Sequence, residues 1–534
     1  MSGGCPSMAL RTVKTALLIT CFTILGVDGL FGASISDTIK SGIRRRVDYR
    51  YNPGVVIGIV DRDGRDFFSY GTTNLEKEQL PNEHTAYEIG SISKVFTASL
   101  FANMVANGEV SYEDPVASHL PQEVSVPEHS RTTISLEHLA THRSGLPANP
   151  PALLKGDPIN VFFPFPTDAL YDFLGEYQLT RSPGTEYEYS NLGMGLLGHA
   201  LSRRLELSYE EALQERILGP LGMDDTAVVP SEDLSARRAQ GYTGIAARPA
   251  IMMDSLEGAA ALVSTTSDML TFLEYQLELR DSELNPAFRE AHQPRFPAGS
   301  PLQKVGLGWL VTQLGSDTIT MHDGATMGHH AFAGFNRRTG TGVVVLSNAR
   351  LNQYSSVQDL GMKALVPAFP LTATRRPATI TEDELRRFPA IYEGPDGADL
   401  EVKIEHGHLT VTNSMAPNGS FTLYPLSTRR FKLYEALGTA SADFSFDTEE
   451  RVTGIQWKEG DITTNFTRLS AAPTLTLSRQ DLQIELSGDG GITYTIESSP
   501  DLQEWSFMTT MTIWDSPLVI SNPEGNRSRF FRVR

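Results

Sequence analysis

Strand-like patterning at both ends of residues 36–367, with helical patterning between, constrains this chain more than any other feature. Residues 54–70 are β-rich runs on either side of Asp61-Arg62-Asp63-Gly64, which reads as a hairpin. Strands are predicted again only late, over 308–314, 318–322, 331–336 and 341–347, the last after an Arg338-Thr339-Gly340 turn. Between them the apolar spacing predicts helices: one from Ser91 to the Asn107-Gly108 stop, one over 191–205 and one over 264–279. Ser208-Tyr209-Glu210-Glu211 is a capping box that opens another. Helices over 36–46 and 355–365 flank the whole unit. Strands early, helices in the middle and strands late imply an α+β domain whose sheet is assembled from both ends of the segment.

The pattern then changes. A Pro- and Thr-containing linker over 368–381 leads into strand after strand with polar turns up to about residue 470, a small β-barrel or sandwich. Residues 471–534 alternate again and read as a separate small β-sandwich. The expected division is therefore 1–33, 34–371, 380–470 and 471–534. Arg11 and Lys14 precede an apolar run over 16–27 that is too short to span a bilayer, so 1–33 reads as an export signal cut near Gly29 or Ala33. A retained membrane anchor is the alternative. Both cysteines, Cys5 and Cys21, lie in that segment, so an exported product has no disulfide, no thiolate metal site and no cysteine nucleophile. A formal net charge of -19 argues against nucleic acid or an anionic membrane as the main partner. His406 and His408 are expected to share a strand face, but two histidines without a third ligand do not make a metal site, and no metal or cofactor is expected.

Three motifs carry chemistry. Ser91-Ile92-Ser93-Lys94 sets a hydroxyl and an amine one helical turn apart on the same face. A lysine that is partly buried loses preference for its charged form and can help take a serine proton. Tyr189-Ser190-Asn191 opens the 191–205 helix, and His322-Asp323-Gly324 ends a predicted strand and runs into Ala325. Each motif alone is weak, since many helices open on a serine followed by a lysine. The ordered set in suitable local contexts is strong.

With these motifs in place, residues 36–367 resemble the serine hydrolase family that includes class C β-lactamases, D-alanyl-D-alanine carboxypeptidases and related esterases. Supporting text is Leu139-Ala140-Thr141-His142-Arg143-Ser144-Gly145-Leu146-Pro147, Gly306-Leu307-Gly308-Trp309 and Leu262-Val263-Ser264-Thr265. The resemblance implies a five-stranded antiparallel sheet flanked by helices, with an all-helical subdomain inserted and the active site between them. It implies Ser91 as the acylated nucleophile and Lys94 as the group that holds or accepts its proton. Tyr189 would act as phenolate or proton relay, and Asn191 would orient the substrate amide and Lys94. The backbone N–H groups of Ser91 and Ala325 would form the oxyanion hole. Gly324 is needed because a side chain there would crowd the serine.

His322 departs from the lysine that many β-lactamases and penicillin-binding proteins carry, which weakens the permanent positive charge that holds a substrate carboxylate. The expected function is a Ser91 acyl-enzyme hydrolase of D-alanyl peptides or β-lactams, with peptidoglycan fragments among the candidate substrates. A small-ester esterase is the alternative, and a catalytically silent binding or sensor protein a third. The 380–470 segment is similar to lipocalin-like barrels appended to family members, which implies a role in shaping the cleft, in oligomer formation or in packing alone. The thinner match of the last segment is to short β modules of secreted bacterial proteins. Residues 149–165, rich in Pro and aromatics, read as a long loop that either lines the cleft or runs over the surface.

Overall fold

The computed structural model describes residues 33–469 apart from 78, 151–163, 415 and 436–437, and beyond 469 only the backbone of short strands. The expected signal therefore lies outside the described residues. Eight described strands form one antiparallel sheet in the order Gly64–Gly71, Gly54–Asp61, Thr341–Ser347, His330–Asn336, Asp317–Ala325, Leu310–Leu314, Ser300–Val305 and Phe296–Ala298. The early hairpin closes on the last strand, with Val55 opposite Ser347 and Ile57 opposite Val345. The turn is Arg62-Asp63, and Asp61 Oδ1 accepts from Asp63 N at 2.8 Å.

The sheet is wider than the five strands the resemblance implies. Phe296–Ala298 and Ser300–Val305 are a short ribbon containing Pro297 and Pro301, with little apolar alternation, so periodicity misses them.

Both faces of the sheet are covered, and side chains along one strand divide between them with the period of two that a strand dictates. Val55, Ile57 and Ile59 join Ile39, Ile43, Phe332 and Leu360 on one face. Val56 and Val60 join the helical region on the other. The first face packs against helices Asp37–Asp48 and Gln358–Leu365, tied by a buried Arg46–Asp359 pair at 2.6 Å. The second packs against the inserted helices, above all Ser93–Ala106, which is buried nearly all round, as expected of a central helix.

Helix Asn191–Leu205 starts and stops where the sequence predicts, as does the Ser208 capping box. The third helix begins later, at Thr266, because Val263–Thr265 pairs as a short strand with Ala86–Glu88 just ahead of Ser91.

Residues 390–468 form a closed eight-stranded barrel filled by Phe388, Tyr392, Leu409, Val411, Phe431, Phe444 and Ile455. His406 does not lie on a strand: with Gly407 it makes the two-residue turn between Asp399–Glu405 and His408–Asn413, with φ of 46° and 74°. The two histidines therefore do not share a strand face. Beyond the barrel, the described strands form two three-stranded sheets.

Candidate active site

Ser91 lies in a tight Gly90–Ile92 turn that precedes the helix, rather than on the helix itself. Two glycines allow this turn to meet the His322 strand backbone to backbone. Gly90 has φ of 52°, and a Cβ there would lie 2.9 Å from Ala325 N. A Cβ on Gly324 would lie 1.9 Å from Ile89 O and 3.0 Å from Ser91 N. The Thr326 N–H donates to His329 O across the Met327-Gly328 turn, so the Ala325–His330 pair is a non-hydrogen-bonded one. Ala325 N–H therefore points away from the His330 strand, to the edge of the sheet that the Gly90–Ile92 turn approaches.

Lys94 is fully buried at the heart of the site. Its Nζ is 2.9 Å from Ser91 Oγ and donates to Asn191 Oδ1 at 2.7 Å and to Ala259 O at 2.7 Å. Burial holds its pKa well below the ordinary lysine value, and the Asp323 carboxylate opposes this only partly. A neutral amine has two N–H bonds and one lone pair. With the N–H groups given to Asn191 and Ala259, the lone pair is left for the serine hydroxyl.

Asn191 is the first residue of its helix, where the Ser190 hydroxyl caps Gly193 N at 2.9 Å and donates to Pro147 O at 2.7 Å. Its Nδ2 donates to Asn149 Oδ1 at 2.9 Å. The start of the 149–165 loop thus touches the site, while most of that loop lies outside the described residues.

Tyr189 lies beside Ser91, and Lys94 Nζ sits 4.9 Å from its ring centre. Burial raises the phenol pKa far above the usual value despite the serine, so the phenolate is disfavoured. The ring leans on His142 at 4.6 Å and faces His322 at 6.3 Å. His142 is buried, accepts from Ser190 N at Nδ1, and burial first and Lys94 second hold its pKa well below normal.

His322 is buried as well, and burial pushes its pKa down to about 4 against the pull of Asp323. As a neutral ring whose Nδ1–H donates to Asp323 O at 2.5 Å, it presents Nε2 as a bare lone pair without a partner.

The serine, lysine, tyrosine, asparagine and histidine of the three motifs thus converge, with Gly324 and Ala325 beside the nucleophile turn. Sequence reasoning missed four supports. Ala259 offers only its carbonyl, which no side-chain pattern reveals. His142 stands in the 139–147 stretch, which carries family likeness rather than chemistry, and Asn149 opens a stretch that reads only as a long loop.

The fourth support is Glu88, three residues before Ser91. It accepts from buried His329 at 3.1 Å, from Ile251 N at 3.0 Å, and pairs with Arg238. Burial alone would raise its pKa, but His329 and Arg238 outweigh it and hold the carboxyl at about 2. Among the described residues no cluster of three potential metal ligands occurs.

The family model described as Beta-lactamase matches residues 40–363. The chain belongs to the β-lactamase family. It is 31% identical over 225 residues to the D-alanyl-D-alanine-carboxypeptidase/endopeptidase AmpH of Escherichia coli (strain K12), a match covering 42% of this chain and 57% of that protein. The chain thus spans little more than half of that relative. A Beta-lactamase of Pseudomonas fluorescens is 27% identical over 351 residues, covering 57% of this chain and 93% of the relative. Among solved structures, a class C beta lactamase from Rhodobacter sphaeroides superposes with a TM-score of 0.54 and 25% identity over 62% of this chain and 99% of that one. The β-lactamase family fold thus accounts for the sheet and inserted helices. The barrel and the last strands lie C-terminal to the matched residues.

Proposed function

We propose that this member of the β-lactamase family is an exported serine acyl hydrolase that works through a Ser91 ester. The observation that carries the reading is the buried Lys94 amine, 2.9 Å from Ser91 Oγ and held below its ordinary pKa. The lone pair of Lys94 takes the hydroxyl proton as Oγ bonds to the substrate carbonyl carbon. The N–H groups of Ser91 and Ala325 meet the developing oxyanion, a contact that commonly contributes about 3 kcal/mol to such transition states. As the carbonyl collapses, the carbon–leaving-group bond breaks and the proton passes from Lys94 through neutral Tyr189 to the leaving group. Water then attacks the ester, its proton returns to Ser91 Oγ by the same route, and the acid departs.

Two substrate classes follow. The names of the relatives support D-alanyl peptides and β-lactams as acyl donors. Neutral His322, whose free nitrogen can only accept, supports short neutral esters as a second reading. Export rests on the basic and apolar pattern over 11–27.

The test is covalent labelling. A fluorophosphonate probe is expected to add its phosphonyl mass to wild type and not to Ser91→Ala, read by intact-mass spectrometry. Wild type left unlabelled would sink the acyl-enzyme reading. A penicillin and a p-nitrophenyl acetate assay on the same samples then separates the two substrate classes.

A further inference from the structure

The side chains that meet at Ser91 share one electrostatic property. Lys94, His142 and His322 could each carry a positive charge, and burial disfavours that charge on all three. Asp323 is the opposite case. Burial would raise its pKa, but His330 and His322 outweigh this and keep it below the usual carboxylate value. The nearest cationic candidate is His330, whose Nε2 is 3.8 Å from Asp323 Oδ2, and no Lys or Arg among the described residues pairs with it.

Position makes this charge matter. The strand carrying Asp323 pairs with Leu310–Leu314 only as far as Met321, so from His322 onward its outer edge is open. Gly324, which touches the nucleophile turn, is one residue away, a rise of about 3.3 Å. Asp323 shares a face with its partner Phe332 and not with His322, which places its side chain at the rim, 34% exposed, rather than under the serine. Its field nevertheless reaches Lys94, Tyr187 and Tyr189. Its side chain leaves the strand on the Phe332 face, so it would act on the leaving side of a substrate lying along the open edge through its field rather than by contact under the serine.

We propose that Asp323 is a specificity-determining residue that selects acyl donors with a neutral or cationic leaving side and turns away those with a carboxylate beside the scissile bond. The proposal rests on the acyl-enzyme reading and goes beyond it. It favours esters, amides and amine-bearing leaving groups over free D-alanyl-D-alanine termini.

The test uses three phenyl acetates, small esters whose phenoxide is the leaving side and which compete for the serine nucleophile. They differ only at the meta position: carboxylate, carboxamide or aminomethyl. Their affinity is read as protection of Ser91 from the fluorophosphonate. One unit of charge at this range in a partly wet cleft corresponds to about tenfold. Wild type and Asp323→Glu are therefore expected to bind the aminomethyl compound about tenfold more tightly than the carboxylate, with the carboxamide between. In Asp323→Asn the three should fall within about twofold.

Equal affinities in wild type, or an order unchanged in Asp323→Asn, would overturn the proposal. If Asp323→Asn does not fold, raising the salt to about 1 M supplies the same reading in wild type. The ratio should shrink, and a ratio indifferent to salt overturns the proposal. Wild type that the fluorophosphonate never labels overturns the acyl-enzyme reading and this inference with it, whereas labelling without a charge order overturns this inference alone.

Discussion

A single amide decides how Lys94 can behave. Asn191 Oδ1 accepts from Nζ at 2.7 Å without carrying charge, so it fixes the amine while favouring its protonated form much less than a carboxylate would. Asn191→Asp keeps the shape and adds an anion at that distance, which raises the pKa of the lysine. The acid limb of acylation is then expected to move to higher pH, with the rate at pH 7 lowered about 10²- to 10⁴-fold, the span of general-base contributions. Stopped-flow acylation across pH 5–10 measures it, and an unmoved limb would count against Lys94 as the base. At this scale the motifs made the converging side chains legible, because serine, lysine, tyrosine and asparagine each sit in a short local pattern. Charge state was not legible. The neutrality of His322 and the ionisation of Asp323 come from burial and from His330, which only the folded sheet brings to 3.8 Å.

The elements around Ser91 are joined by contact too close for side chains. Gly324→Ala puts a methyl where Ile89 O already lies 1.9 Å away, so the nucleophile turn and the His322 strand must separate. Fluorophosphonate labelling should fall at least about tenfold, since sub-ångström misplacement of reacting groups carries large kinetic cost. A variant labelled at the wild-type rate would show that the close approach is dispensable. Glu88 links the same two elements through His329. Its folded pKa of about 2 lies below the ordinary 4.5, so its contribution is complete above pH 4.5 and is lost as pH falls towards 2. Glu88→Gln is therefore expected to unfold at a lower temperature at pH 7, and the difference from wild type should shrink on acidification below 4.5, as followed by circular dichroism. Long helices and regular strands could be read from apolar spacing. The Gly90–Ile92 turn, the Ala86–Glu88 strand and the proline-bearing ribbon could not, because partners far along the chain impose them.

The barrel reaches the cleft through an intermediary. Thr422 Oγ1 accepts from Ile245 N at 2.9 Å in the hairpin of Gly241–Thr243 and Ala246–Arg248. From that hairpin the Thr243 hydroxyl donates to Met327 O at 2.7 Å, and Tyr242 N donates to Gly328 O at 3.0 Å. Met327-Gly328 is the turn just beyond Ala325. Thr422→Val leaves the buried Ile245 N–H without its acceptor, at a cost of about 1–3 kcal/mol. It should lower the thermal midpoint and slow acylation, whereas Thr422→Ser should do neither; calorimetry and labelling rates decide. Another long-range connection has a different effect. Ser347 Oγ donates to Gly54 O across 293 residues of sequence, where the first hairpin meets the last strand of the sheet. The hairpin therefore has no neighbour for its Gly54–Asp61 edge until nearly the whole hydrolase unit has been synthesised. High contact order of this kind makes folding slow and leaves an apolar strand edge open to other chains in the meantime. Such a protein depends on being kept apart from its own copies during synthesis, a demand set by topology and independent of its chemistry.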